Sequence, residues 1–177
     1  MIHPDAKKYL IVNADDFGLS PGVNQGILTA HEHGIVTSTS LMVRGPAAAG
    51  AATAAREHPR LSIGLHLDLC EWVFADETWR PAYEVVPPDD AVAVAAEVTR
   101  QLDAFQRLLG RDPTHLDSHQ HVHRAEPLRS ILVKEARRLG VGLRREGAEV
   151  RYCGAFYGRS NTGDRNDQAG MPAARNP

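Results

Sequence analysis

The sequence predicts an α/β fold in which parallel strands are joined by crossover helices. Three observations predict it. Short apolar runs with β-branched centres alternate with longer stretches at helical spacing, capping and turn residues separate them, and clusters of titratable residues fall where predicted strands end. Repeated strand-helix alternation implies right-handed crossovers. Two architectures satisfy this, an open doubly wound sheet and a barrel of the TIM type, and both collect functional residues at the carboxyl ends of strands.

The elements follow in order. Residues 9–14, Tyr-Leu-Ile-Val-Asn-Ala, suit a strand buried on both faces and ending at Asp15-Asp16. Ser20 caps a helix with Pro21 in its first turn and Val23, Ile27, Leu28 and His31 at helical spacing, stopped by Gly34. A second unit has residues 38–43 as strand, Arg44-Gly45-Pro46 as turn, and an Ala-rich helix from about Ala47 to His58, closed by Pro59. Residues 62–67 are the third strand, followed by a long loop that carries Trp72, Trp79, Pro81, Pro87 and Pro88. Asp89 or Asp90 opens a helix with Val94, Val98, Leu102, Phe105 and Leu109 on one face, ended by Gly110. The fourth strand runs from about His115 to Ser118, an amphipathic helix spans 125–139, and residues 141–144 begin a fifth strand.

From Arg159 to Pro177 there is no Val, Ile, Leu or aromatic residue, and this stretch is expected to be a disordered tail. A complete barrel takes about 250 residues. The 177 residues here are therefore expected to supply about five strand-helix units, in one domain over residues 1–158.

Composition narrows the function classes. With 20 Lys+Arg against 22 Asp+Glu and a net charge of -2, the chain has no basic footprint for nucleic acid. No apolar run is long enough to span a bilayer, and the N-terminal run turns acidic too soon for a secretory signal. A cytoplasmic protein without nucleic-acid or membrane partners is expected. Cys70 and Cys153 stand in no metal-ligand spacing and read as structural thiols.

Three clusters carry the chemistry. In residues 13–18, Asn-Ala-Asp-Asp-Phe-Gly, two adjacent carboxylates leave a strand. Successive strand side chains point opposite ways, so the pair needs a turn to share a site, and Gly18 offers one. A helix cap or turn explains the same residues without chemistry. His66 stands on an otherwise apolar strand, and a buried imidazole requires a hydrogen-bond partner or a metal. In residues 115–123 polar titratable groups recur at every second position, so an extended segment places His115, Asp117, His119, His121 and His123 on one face. Surface solubility has no need of such a row; a solvent-facing edge strand is the alternative, and so dense a histidine run is biased toward metal binding. One carboxylate and two imidazoles on one side of a divalent ion leave positions for water and substrate, while a second carboxylate acts as base.

At these residues the sequence resembles the YdjC-like (ChbG/HpnK) carbohydrate deacetylases. The resemblance rests on residues 13–18, 34–40 (Gly-Ile-Val-Thr-Ser-Thr-Ser), 64–66 (Gly-Leu-His) and 114–123, in register from about Tyr9 to Leu143. It implies a TIM-like distorted (β/α) barrel, here incomplete, and metal-dependent removal of N-acetyl groups from sugars such as chitooligosaccharides. Carried over by position, Asp16, His66 and His119 are the implied metal ligands and Asp15 the catalytic base. Mg²⁺ is the implied ion, with Zn²⁺ open because imidazole ligands suit it. His115, Asp117, His121 and His123 are candidates for supporting the ligands or contacting substrate, and His121 or His123 for protonating the leaving amine.

The resemblance breaks at the C-terminus, where the family's further strands and Cys-His-Pro motif are missing, as in a truncated or frameshifted product. An inactive fragment that at most binds metal is therefore the main alternative. A metal-dependent phosphoester hydrolase is weaker, because no Gly-rich phosphate loop follows a strand. An N-acetylated sugar is the expected partner, with a homo-oligomer open. Trp72 and Trp79 are readable as sugar-stacking or, at least as readily, as core or lid packing, and Arg144 and Arg145 as substrate contacts or, by default, surface ion pairs.

Overall fold

The computed structural model describes residues 9–147 and 150–153. The elements are β1 (Asn13–Phe17), α1 (Pro21–Glu32), β2 (Ser38–Leu41), α2 (Ala48–Glu57), β3 (Ser62–Leu67), β4 (Cys70–Ala75), β5 (Thr78–Glu84), α3 (Ala91–Leu109), β6 (His115–Ser118), α4 (Leu128–Leu139) and β7 (Gly142–Leu143). A 3₁₀ segment, His119–Arg124, lies between β6 and α4. The expected tail over 159–177 lies outside the described residues.

Five strands form one parallel sheet in the order β1-β2-β3-β6-β7. Each parallel strand pairs with the next parallel strand in the chain, and α1 to α4 pack side by side in the same succession. A doubly wound sheet reverses its order partway and carries helices on both faces. The uninterrupted order is that of an incomplete barrel.

Side-chain alternation sorts the sheet into two faces. Phe17, Leu41, Leu65 and Leu116 stand in register with one another and join Ile27, Ala51, Phe105 and Leu132 in a buried core under the helices. Each Leu, Ile or Phe side chain among them contributes about 1.5–3 kcal/mol by leaving water. The opposite face is polar. It presents Asn13, Asp15, Ser40, His66, His115 and Asp117, with Arg144 just past the end of β7.

Local chemistry sets most of the helix ends. Ser20 Oγ accepts from Val23 N–H at 3.2 Å. Asp90 Oδ1 accepts from Val92 and Ala93, both at 3.0 Å, and Gly110 closes α3 in the left-handed conformation at φ 69°. The α1 cap is His33, one residue before the expected Gly34. α4 begins at Leu128 instead of 125, because Pro127 stands at its cap and Glu126 Oε2 accepts from Ser130 N–H.

Three expectations are corrected. The first strand begins at Asn13, four residues later than its apolar run suggests, and Tyr9, Leu10 and Ile11 are exposed, because β1 is the edge of the sheet and has a neighbour on one side only. The long loop after the third strand is an antiparallel hairpin, β4–β5, with Phe74 and Trp79 rings 5.6 Å apart near its tip. Neither Trp72 nor Trp79 joins the core. The third correction is to the histidine row, which is not extended. The strand ends at Ser118, and Gln120 and His121 take left-handed φ values of 49° and 56°.

Candidate metal centre

The Asp15-Asp16 pair shares one site through a kink at Asp16 itself. Asp16 has φ 67°, and the β1–β2 register shifts between Ala14 and Phe17. Asp tolerates this left-handed geometry better than most residues, and the irregularity re-aims a side chain that regular alternation sends to the other face. The turn that sequence placed at Gly18 is thus made two residues earlier.

Asp16 Oδ1 lies 3.1 Å from His119 Nδ1 and 3.3 Å from His66 Nε2. The two imidazoles stand edge to face with ring centres 5.6 Å apart. Donors on one ion at about 2.1 Å are separated by about 3.0–3.4 Å in octahedral or tetrahedral arrangements. Both distances to Asp16 fit that spacing, all three donor atoms lie within 4.8 Å of one another, and the set fits a divalent metal. The hydrogen bonds from His119 and then His66 hold the Asp16 carboxyl well below the usual carboxylate range.

A second group, Asp15, His66 and Asp117, also lies within metal-ligating distance. It is filled by the protein's own cation. Arg144 Nη1 and Nη2 donate to the two oxygens of Asp15, the first at 2.8 Å, and Nη2 also reaches Asp117 Oδ2. Asp117 is fully buried, whereas Asp16 keeps a third of its side chain exposed, so the first group is the one open to solvent.

His66 is buried and its Nδ1–H donates to Asp117 Oδ1 at 2.6 Å. That bond turns the Nε2 edge toward Asp16, the pattern by which a carboxylate orients a ligating imidazole. Burial disfavours a charge on His66, but the adjacent Asp117 outweighs it and raises the imidazole to about 10. Burial likewise opposes ionisation of Asp117, and His66 and Arg144 together hold it as a carboxylate.

The remaining histidines separate. His115 crosses β3 to reach Ser40 Oγ at 3.1 Å, and burial lowers its pKa. It can do so because Gly64 has no side chain, since a Cβ there lies 2.4 Å from His115 Nε2. His123 accepts from Ser118 Oγ at Nδ1 (2.7 Å) and donates from Nε2 to the Arg144 carbonyl (3.2 Å). Both nitrogens are committed and burial lowers it to about 4, so His123 is a neutral prop under Arg144 instead of a proton donor. His121 lies between these groups, its Nδ1 buried without a hydrogen-bond partner, and burial with Arg144 and Arg145 lowers its pKa.

Arg144 is the participant that sequence reasoning undervalued. Its default reading as a surface ion pair is overturned by a side chain only 12% exposed between two carboxylates. A signal was available in its place at the end of the fifth strand, on the same rim as the other clusters. Arg145 stacks over the Tyr152 ring at 3.9 Å. Gln120 was also missed. Its amide exchanges two hydrogen bonds with the Trp72 backbone, both 2.9 Å, and ties the hairpin to the turn that follows His119.

Fold and site together define a parallel β/α-barrel protein with an Asp-His-His donor set at the carboxyl ends of its strands. The chain belongs to the YdjC-like protein family, which matches residues 9–174. It is 39% identical over 155 residues to a chitooligosaccharide deacetylase of Enterobacter sp. (strain 638), covering 77% of this chain and 59% of the relative. The same name and identity recur over 153 residues in Salmonella schwarzengrund (strain CVM19633), with 78% of this chain and 59% of the relative covered. A crystal structure of an Enterococcus faecalis V583 protein named for cellobiose-phosphate cleavage superposes with a TM-score of 0.63 at 33% identity, covering 78% of this chain and 59% of that one. The chain thus spans about three fifths of the length of these relatives. No described helix is long and apolar enough to cross a membrane.

Proposed function

We propose that this protein removes N-acetyl groups from chitooligosaccharide-type carbohydrates, with Asp16, His66 and His119 holding a divalent ion, Mg²⁺ first and Zn²⁺ second, and Asp15 acting as general base. The observation that carries the reading is the convergence of Asp16 Oδ1 with His66 Nε2 and His119 Nδ1 at 3.3 and 3.1 Å. The names of the curated relatives support the substrate class. A divalent ion bound there polarises the acetamide carbonyl and lowers the pKa of a water molecule.

The protein's own groups do the rest. Asp117 takes the Nδ1–H of His66 and so turns the Nε2 edge toward the donor set, where Nε2 would shed its proton to hold the ion. Asp15 receives Arg144 on both oxygens and Asn13 on Oδ1, which leaves Oδ2 the less committed oxygen to take a proton from the attacking water. Expulsion of the sugar amine needs a proton in return. His123 is committed on both nitrogens, and His121 has its Nδ1 buried and its pKa lowered, so neither is assigned that transfer.

Acetate released from N,N′-diacetylchitobiose, with Mg²⁺ or Zn²⁺ added and after chelation, tests the reading. Metal-dependent release that Asp15→Asn lowers by about 10²–10⁴-fold is expected. Metal binding without release assigns the chain to an inactive metal-binding role instead.

A further inference from the structure

Ser40 is fully buried on β2, on the polar face of the sheet. Three polar groups meet its hydroxyl: Asp117 Oδ2 at 2.6 Å, Asn13 Nδ2 at 2.9 Å and His115 Nε2 at 3.1 Å. Asp117, placed between Arg144 and His66, is a carboxylate and can only accept. The single hydrogen of Ser40 therefore goes to Asp117, and its two lone pairs accept from Asn13 and His115. That assignment makes His115 the Nε2–H tautomer, with Nδ1 accepting from Thr114 Oγ1 at 3.0 Å. Every hydrogen-bonding valence of the hydroxyl is used.

From this point two arms lead to the site. Asn13 spends its other amide hydrogen on Asp15 Oδ1 at 2.8 Å, and Asp117 uses its other oxygen to hold His66 Nδ1 at 2.6 Å. We propose that Ser40 is a positioning residue for the deacetylation site, one hydroxyl setting both the carboxylate that orients His66 and the amide that orients Asp15. This inference rests on the function proposed above. A buried carboxylate that loses one of its donors rotates toward those remaining, here Arg144, and carries the His66 ring with it.

Ser40→Ala and the near-isosteric Ser40→Cys, compared with the full wild-type chain, test the proposal by two readouts. Metal-free side-chain ¹⁵N NMR reports the tautomer of His115 and the Nδ1–H resonance of His66, and calorimetric titration reports Mn²⁺ affinity. Expected in Ser40→Ala are loss of the single Nε2–H form of His115 and at least about tenfold weaker Mn²⁺ binding, with Ser40→Cys intermediate. A His115 that stays wholly Nε2–H overturns the assignment, and a changed His115 with undiminished Mn²⁺ affinity overturns the positioning role. If the alanine variant does not fold, Ser40→Cys carries both readouts. Wild-type protein that binds no Mn²⁺ counts against the metal centre itself, and a His66 Nδ1–H resonance unmoved by Ser40→Ala then overturns the positioning role, a shifted one upholding it.

Discussion

Asp15 and Arg144 stand 129 positions apart in the chain and meet as a two-pronged ion pair, with Nη1 donating to Oδ2 at 2.8 Å and Nη2 to Oδ1. The same guanidinium reaches Asp117, so one cation separates two carboxylates that face each other across the polar side of the sheet. The end of β7 is thereby joined to β1 and β6. Removing the cation leaves the two carboxylates facing each other with only His66 and Ser40 on Asp117 and Asn13 on Asp15 to compensate them. Arg144→Ala is expected to cost about 3–5 kcal/mol, read as a lower urea midpoint at unchanged slope. A loss under 1 kcal/mol contradicts the bridge.

Gly64 and His115 form a second coupled pair. A methyl group at 64 lies 2.4 Å from the imidazole Nε2, and the ring is pinned by Ser40 and Thr114, so it moves only by breaking those bonds. Gly64→Ala is expected to destabilise by about 1–3 kcal/mol. In the His115→Ala background the same change is expected to cost much less. A double-mutant cycle in urea gives the coupling, and strictly additive losses refute the contact.

The β4–β5 hairpin is held by few ties. Gln120 occupies the backbone N–H and C=O of Trp72, and Tyr83 Oη donates to Asp68 Oδ1 at 2.7 Å. Because Trp72 turns both backbone groups to Gln120, its opposite residue Pro81 removes no ladder bond. Gln120→Ala loses two hydrogen bonds of about 0.5–1.5 kcal/mol each. Amide exchange over residues 70–84 is expected to quicken several-fold while α3 keeps its protection. Unchanged exchange in the hairpin argues against the clasp.

A pH-dependent tie joins α1 to α2. His58 Nδ1–H donates to the Ala54 carbonyl at 2.8 Å, and Nε2 faces Glu32 Oε1 at 2.7 Å. Acceptors at both nitrogens favour the imidazolium, the backbone carbonyl first and Glu32 second, and raise its pKa above 6.5, while Glu32 is lowered below 4.5. The His58 contribution is complete below 6.5 and lost as pH rises through its raised pKa. That of Glu32 is complete above 4.5 and lost as pH falls through its lowered one. The Tm difference between wild type and Glu32→Gln is expected to be largest between those values and to shrink toward pH 9. A difference independent of pH removes the imidazolium from the account.

The residues that sequence read well are those governed by neighbours a few positions away. Ser20 and Asp90 cap the helices expected of them, Gly110 ends α3, and residues 62–67 and 115–118 are strands as expected. Placing titratable clusters at strand ends was also enough to draw the Asp15-Asp16 pair, His66 and the histidine row toward one rim, because parallel strands joined by right-handed crossovers all point their carboxyl ends the same way, whereas the choice of Asp16, His66 and His119 among them came with the family resemblance.

Other features were illegible for one common reason. Alternation predicts a single histidine face only while the backbone stays extended, and two left-handed residues after His119 send His119, His121 and His123 to three different surroundings. The kink at Asp16 and the hairpin in place of a loop are backbone choices of the same kind, each settled by partners elsewhere in the fold.

Local propensity acts over one or two turns of chain, and within that reach the amino-acid order decided where most of the parallel strands lie, where α1 and α3 begin and which polar groups stand at strand ends. The burial of Arg144 between Asp15 and Asp117, and the meeting of Asn13, His115 and Asp117 at Ser40, arise between residues 27 to 129 positions apart. Only packing of the sheet brings such groups together, and in that dry interior each must find a charge or hydrogen-bond partner. Tertiary structure alone decided which.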